Sequence, residues 1–514
     1  MSEMKFNLLM EPLISVVEEP TPACEVSLPG LLALLGQGRP IEFPALQPHQ
    51  FHAWHAFLCQ LGALGALRAG DNDLRRSEDS WRAVLRSLTD GRDEPWCLVV
   101  PDLSMPAFMQ PPVPEGNLNN FKNSSRCPDK IDLLVTGKNH DVKASRILGA
   151  RPQHWLFAIL TLQTMQGYLG RGNFGIARMN SGFGNRPAMA AAPDLSWPAR
   201  FVRDASLWLQ SLPALTGEDG GYSPEASKAL LWLDPWDGAS SIPLQDCHPF
   251  FIEVCRRIRL VSDPDSGVGA RFAPSELPRV DAKDSLGRTG DIWTPIRRED
   301  GAALNVGPAG FSYKLLQDIL FEGNYERNPA LALCDADGDE PLVEACALTR
   351  GQGRTEGLHE KVLPIPPRVR SLLCVGEGRS RLGAIARDRV EVVDTLRTKA
   401  LRPALIVLAQ GAPDKPDWKD KRMDTWSSCL DREVDRLFFP SLWACVDLDP
   451  PEARRIWARE VVKLARSILH QAMKSVPIPA VRRYRALAAA ERSFEGGWRK
   501  HFPDLGLEKG VEGT

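Results

Sequence analysis

From Val142 to Pro193 the sequence has no aspartate and no glutamate. With 65 acidic residues in 514, a stretch of that length would ordinarily carry roughly six or seven. The same stretch keeps Lys143, Arg146, Arg151, Arg171, Arg178 and Arg186. Soluble surfaces intersperse both signs of charge, so local exclusion of acids predicts that a polyanion approaches there; the alternative is a long buried helix followed by a loop in which acids happen to be missing. Other absences narrow the class. None of the 11 cysteines forms a C-x-x-C pair, the nearest two being Cys247 and Cys255. A scattered, odd set argues against a structural zinc and for reduced thiols in a cytoplasm. No apolar run reaches the roughly 18 residues of a membrane span, so no membrane partner is expected. G-x-x-x-x-G-K-[ST], G-x-S-x-G and H-E-x-x-H are all missing, as is a paired-carboxylate site, which removes the usual bases for P-loop, hydrolase and metalloprotease chemistry. His49, His52 and His55 have no carboxylate close in sequence and read as core or cap residues. His140 and His359 lack the neighbours of a metal-dependent nuclease. No catalytic residue, metal or cofactor is expected.

The net charge is −2, so any polyanion contact must come from local patches. The 42 prolines and 41 glycines imply much irregular structure. Short strands are expected within 6–17, apolar helices over 28–35, 51–67 and 153–168, and loops over 117–130, 287–296 and 350–357. Residues 195–365 show no βαβ rhythm. From about Arg379 the pattern becomes helical, in stretches 379–410, 418–446, 451–476 and 480–502 separated by prolines. In the third, Trp457, Val461, Leu464 and Ile468 share one face, and Arg455, Arg459, Lys463 and Arg466 another. The reading is an α+β protein with a large mixed α/β domain over 1–365 and a four-helix bundle over 366–514.

Three loops carry the candidate chemistry. Gly170-Arg171-Gly172-Asn173-Phe174-Gly175 matches G-x-G-x-x-G. A dinucleotide fold needs a strand before it and a helix after it. Here an apolar helix precedes it, and Gly182, Gly184 and Pro187 follow. Backbone contact to a phosphate or base edge fits better, with Arg178 downstream as a phosphate ligand; a phosphate- or nucleotide-binding enzyme using 170–175 is the alternative. Residues 136–146 form a second basic loop, in which Lys138, Lys143 and Arg146 can reach phosphates and Asn139 and His140 can read unpaired bases. In the third, Gln352 lies between Gly351 and Gly353, flanked by Arg350 and Arg354. That pattern suits an amide wedge entering a base stack while two arginines hold phosphates; the alternative is a β-turn with solvated charges.

Taken in order, the segments 6–12, 106–110, 136–146, 170–175, 290–295 and 350–360 and the helical C-terminal quarter resemble the CasA family, the large subunits of the type I-E CRISPR surveillance complex Cascade. The resemblance covers most of the chain. It implies a non-catalytic subunit that works with other Cascade subunits, the guide RNA, double-stranded target DNA and a helicase-nuclease effector. It also implies that 136–146 meets the guide-RNA 5′ handle and that 170–175 approaches the protospacer-adjacent motif (PAM) from the minor groove. Lys283 would reach into that groove, and Gln352 would split the duplex beside it. Arg171 and Asn173 between the glycines, and the lack of the cysteine cluster some members carry, are departures.

Overall fold

The computed structural model describes residues 4–505 apart from 19, 21, 133–149, 181, 218–219, 224, 322, 334–336 and 352–353. The chain divides into two compact units: Met1–Phe311 with Asn324–Ile365, and Ser312–Gly323 with Pro366–Thr514.

The first unit is built around helices that are apolar on every side. Phe51–Ala69 carries no Lys, Arg, Asp or Glu before Arg68, and every residue from Ala53 to Ala66 is buried. A helix without a polar face belongs in a core. It ends at Gly70, whose φ of 79° is the left-handed conformation glycine supplies at a helix terminus. Pro152–Met165 begins with proline in its first turn, where no N–H is needed, and stops as Gln166 becomes extended. With Leu28–Gly36 and Trp197–Thr216 these helices enclose a core rich in tryptophan; Trp208 and Trp293, for example, meet edge-to-face at 5.7 Å.

The sheets around this core are small. One runs Arg354–Pro364, Leu342–Gly351, Ala188–Ala192, and another Arg257–Asp263, Gly267–Ala273, Asn123–Ser125, all antiparallel. The last strand lies within a stretch read from sequence as loop. The expected loop over 350–357 is likewise mostly a hairpin: Gly351 pairs with Arg354 and Thr349 with Gly357, with a register shift between Thr349 and Arg350. Glycine and charge suggest a loop locally, but the flanking residues 342–349 and 358–364 are long, paired strands that carry the ladder to the tip.

In the second unit the helices are Gly376–Leu396, continued through Arg397–Leu401 into Arg402–Ala409, then Asp424–Ala444, Pro450–Ser475 and Arg483–His501, with the shorter Pro367–Cys374. Pro403 has no N–H to give the carbonyl four residues back, so the first helix widens into a π-turn there. Gly497 of the last helix packs onto this turn; a Cβ at that position would lie 2.6 Å from the Lys399 carbonyl oxygen. On Pro450–Ser475, Trp457, Val461 and Ile468 are buried, whereas Arg455, Arg459 and Lys463 are exposed and Arg466 pairs with Glu495 at 2.5 Å. Helix Tyr313–Leu320, which a break at 365 assigns to the first domain, belongs to this unit. Its Tyr313 ring lies 4.9 Å from Phe438 and its hydroxyl donates to Asp431 at 2.9 Å.

Candidate nucleic-acid interface

The 170–175 loop is a turn on a fixed stem. Gly167 N–H donates to Gly184 O at 3.0 Å and Tyr168 N–H to Gly182 O at 2.9 Å. Only glycine fits here, because a Cβ on Gly167 would sit 2.0 Å from Gly182 O, and one on Gly175 would sit 2.8 Å from Gly167 C. Asn173 N–H closes the tip onto Gly170 O at 2.9 Å, with φ of 105° at Gly170 and 84° at Gly172. Arg256, buried, holds the base by donating to Gly167 O at 3.1 Å and to Phe174 O. Arg256 is held in turn by Gln163, whose amide donates to Met109 O and Arg256 O and accepts from Cys255 N–H and Arg256 N–H, all at 2.8–2.9 Å. The result is a rigid stem with Arg171 and Asn173 exposed at the tip. The tip borders an open cleft of about 1120 Å³. Lys122, Arg171 and Arg257 on its walls are opposed by Glu115, Asp237 and Glu276, so the cleft is of mixed charge.

Asp132 joins the roots of all three candidate loops. Its carbonyl oxygen accepts from Gln166 Nε2 at 3.0 Å, just before the glycine stem, and from Arg350 Nη2 at 2.7 Å, at the hairpin tip. Its carboxylate accepts from Gln50 Nε2 at 2.7 Å and contacts His49 Nε2 at 2.8 Å. Asp132 is also the last residue described before 133–149. The hairpin and glycine run meet a second time, where Asn185 N–H donates to Leu348 O at 2.8 Å and Gly184 leaves no room for a Cβ beside that oxygen.

Several expected contacts need correction. Arg178, read as a phosphate ligand, is buried; it pairs with Glu253 at 3.3 Å and lies 3.8 Å from the Phe251 ring centre. Burial pushes the Glu253 carboxyl up, against the pull of Arg178. Arg186 is buried in a bidentate pair with Asp291. Burial there disfavours the Asp291 carboxylate, but Arg186 outweighs it and holds the carboxyl below its usual range. The acid-free segment is thus partly neutralised by acids distant in sequence. Arg350, also read as a phosphate ligand, is buried, its pKa lowered by burial to about 10, and its guanidinium is turned inward to Asp132. Of the six cations in the acid-free segment, Arg171 is exposed and in no ion pair among the described residues, while Arg151 is paired with Glu25.

Lys283 is exposed on a 3-10 turn. Gly287, four residues on, fits closely against the glycine run; a Cβ there would lie 2.8 Å from Met179 C. Gly351 and Arg354 face one another across the hairpin. Lys138, Asn139, His140, Lys143, Arg146, Gln352 and Gly353 lie outside the described residues. Sequence reasoning missed Asp132, Gln163 and Arg256; an available signal was the amides Gln163 and Gln166 in and after an apolar helix, since a buried amide requires partners. His49 and His55 prove to have carboxylate partners, Asp132 and Asp204, contributed by distant segments. Among the described residues no three His, Cys, Asp or Glu side chains form a metal-sized cluster.

A mixed α/β unit carrying a glycine loop, together with a helical unit at the C-terminal end, defines the class: the chain has the fold of the CRISPR-associated CasA (Cse1) proteins. The solved structures that share it include Thermus thermophilus CasA (Cse1), at TM-score 0.65 and 16% identity over 97% of this chain and 100% of that one. Cse1 from Acidimicrobium ferrooxidans gives 0.65 and 17% over 99% and 100%, and Thermobifida fusca Cse1 gives 0.64 and 16% over 97% and 98%. No family model and no curated protein matches the sequence.

Proposed function

We propose that this chain is the large subunit of a type I-E CRISPR surveillance complex in the cytoplasm and that it reads the PAM of double-stranded DNA. The observation that carries this reading is the correspondence of fold with CasA (Cse1) structures over nearly the whole of both chains. The glycine loop supports it. A rigid stem presents backbone, Arg171 and Asn173 to a partner, as reading a degenerate minor groove requires. Lys283 is the second reader, on the turn packed beside the run. Gln352, with Gly351 and Gly353, is the wedge that opens the first base pair, and Arg354 contacts the backbone there. The 136–146 loop, through Lys138, Asn139, His140, Lys143 and Arg146, holds the guide-RNA handle. Pairing of guide and target then reads the remaining sequence, and the helicase-nuclease recruited by the complex cuts. The chain itself carries no catalytic site.

The test is to tag the full chain in its native cell, sequence the small RNA that co-purifies, and assay the isolated chain for nuclease and ATP hydrolysis with magnesium, manganese or zinc. Recovery of repeat-derived guide RNA with no hydrolysis supports the reading. Hydrolysis that tracks with the chain, or the lack of guide RNA, overturns it.

A further inference from the structure

A cavity of about 510 Å³ lies within the first unit, on the side of the sheet that bears Ala188 and Ala190. The small side chains of Ala188, Ala190 and Ala192 leave it open on that side, and Phe51, His52 and Trp197 close the other. Phe51 and Trp197 pack with centroids 4.7 Å apart. Burial holds the pKa of His52 well below its usual value, so this ring is neutral at physiological pH, and its Nε2 has no partner among the described residues.

The charges at this cavity are arranged unequally. Arg200 is committed to Glu344 at 2.6 Å and lies over Trp197 at 5.3 Å. Asp204 is engaged by His55 at 2.9 Å and by the Trp293 indole N–H at 2.7 Å. Lys361 is also at the wall. Glu42 and Glu360 line the cavity, are exposed, and form no ion pair among the described residues. Counting Glu42, Asp204, Glu344 and Glu360 against Arg200 and Lys361 leaves the wall two charges negative. Leu195 and Val362, two of the chain's exposed large apolar side chains, stand at the same cavity and are 50% and 46% exposed. An apolar rim of this kind is what a macromolecular surface covers, and an aromatic-walled pocket beneath it is the form an anchor site takes.

We propose that this cavity is a docking pocket for a lysine or arginine side chain of a protein partner. The apolar stem lies along the alanines and Trp197, and the cationic head reaches Glu42 and Glu360. Charge complementarity selects this occupant: an anion or nucleic-acid backbone would meet unpaired carboxylates, and a neutral apolar side chain would leave them desolvated. The site is separate from the glycine loop and stands whether or not that loop reads DNA.

The test places a photo-crosslinking amino acid at Leu195 of the full chain in its native cell and maps the products by mass spectrometry. The expected product is a peptide with lysine or arginine within a few residues of the link. Its yield should drop at least five-fold in a chain that also carries Glu42→Gln and Glu360→Gln and melts as the parent does. Agmatine, a guanidinium on an apolar stem, should suppress the link at millimolar concentration. A link to nucleic acid, a peptide without a basic residue, no link, or a yield unchanged by the two substitutions overturns the proposal. Saturable agmatine binding without a protein crosslink also overturns it, in favour of a small-molecule cation site.

Discussion

Arg350 and Arg171 look alike in sequence, each an arginine beside glycine in a candidate DNA loop, but the structure assigns them different work. Arg350 is buried and donates to the Asp132 carbonyl at 2.7 Å. A hydrogen bond from a charged donor contributes about 1.5–3 kcal/mol. The carbonyl keeps Gln166 Nε2 at 3.0 Å after Arg350→Ala, so it is not left unsatisfied. Burial already holds the guanidinium pKa down to about 10, so the hydrogen bond is made against a desolvation cost. The net loss of stability is therefore expected at the lower end, about 1–2 kcal/mol. Arg171 is exposed and makes no ion pair among the described residues, so Arg171→Ala should change stability by less than about 0.5 kcal/mol. Duplex binding should show the reverse order. Removing a cation that neutralises one phosphate flattens the dependence of log affinity on log salt by about 0.9. Arg171→Ala should show that change, whereas Arg350→Ala should weaken binding with the slope preserved. The assay is chemical denaturation of both variants plus binding of PAM-bearing duplex by the assembled complex at several salt concentrations. A flattened slope with unchanged stability for Arg350→Ala would refute the reasoning, because it would show that residue on a phosphate rather than at the root of the loops.

Gly170→Ala should cost only the backbone term, about 1–2 kcal/mol, since φ is 105° but the space is open. Gly172→Ala should cost distinctly more, because φ is 84° and the new Cβ lies 2.8 Å from Pro274 Cβ; equal melting temperatures for the two variants would contradict this. His248 Nδ1 accepts the Phe250 N–H at 3.0 Å, and burial lowers its pKa from 6.5 to about 4. On acidification the unfolded chain takes up this proton first, so stability should fall between pH 6.5 and about 4, by up to about 3 kcal/mol. Melts at pH 7.5 and 5 should show a smaller loss for His248→Asn than for the parent. A fragment spanning 366–505 should be helical but less stable than the same fragment linked to 312–323, which buries Tyr313, Leu316 and Ile319 in this unit; coincident denaturation curves would show that helix Tyr313–Leu320 contributes nothing.

What the sequence made legible was local. The helical spacing of Trp457, Val461, Leu464 and Ile468 defined a face that the structure buries except for the half-buried Leu464, and of the opposed cations Arg455, Arg459 and Lys463 are exposed while Arg466 is half-buried against Glu495. The apolar runs before Arg68 and before Gln166 defined buried helices for the same reason. The stem of the glycine loop was legible in part, because glycines so closely spaced imply close backbone approach. Long-range pairing was not legible. Arg178 meets an acid 75 residues away and Arg350 a carbonyl 218 residues away. A window free of acids therefore suggested an open polyanion surface where burial had supplied distant counter-charges. Residues 350–357 misled for a related reason: their glycine and charge suit a loop, but the ladder of the flanking strands reaches as far as Gly351 and Arg354.

The most direct test of the central claim is permanganate footprinting of duplex targets by the native ribonucleoprotein, prepared with this chain and without it. Opening of the first base pairs should require both the chain and the PAM. Gln352→Ala should lose opening on a paired target and regain binding on a target with a pre-opened bubble, where the unstacking cost of roughly a few kcal/mol is already met. Equal opening without the chain, or opening indifferent to the PAM, would contradict the account.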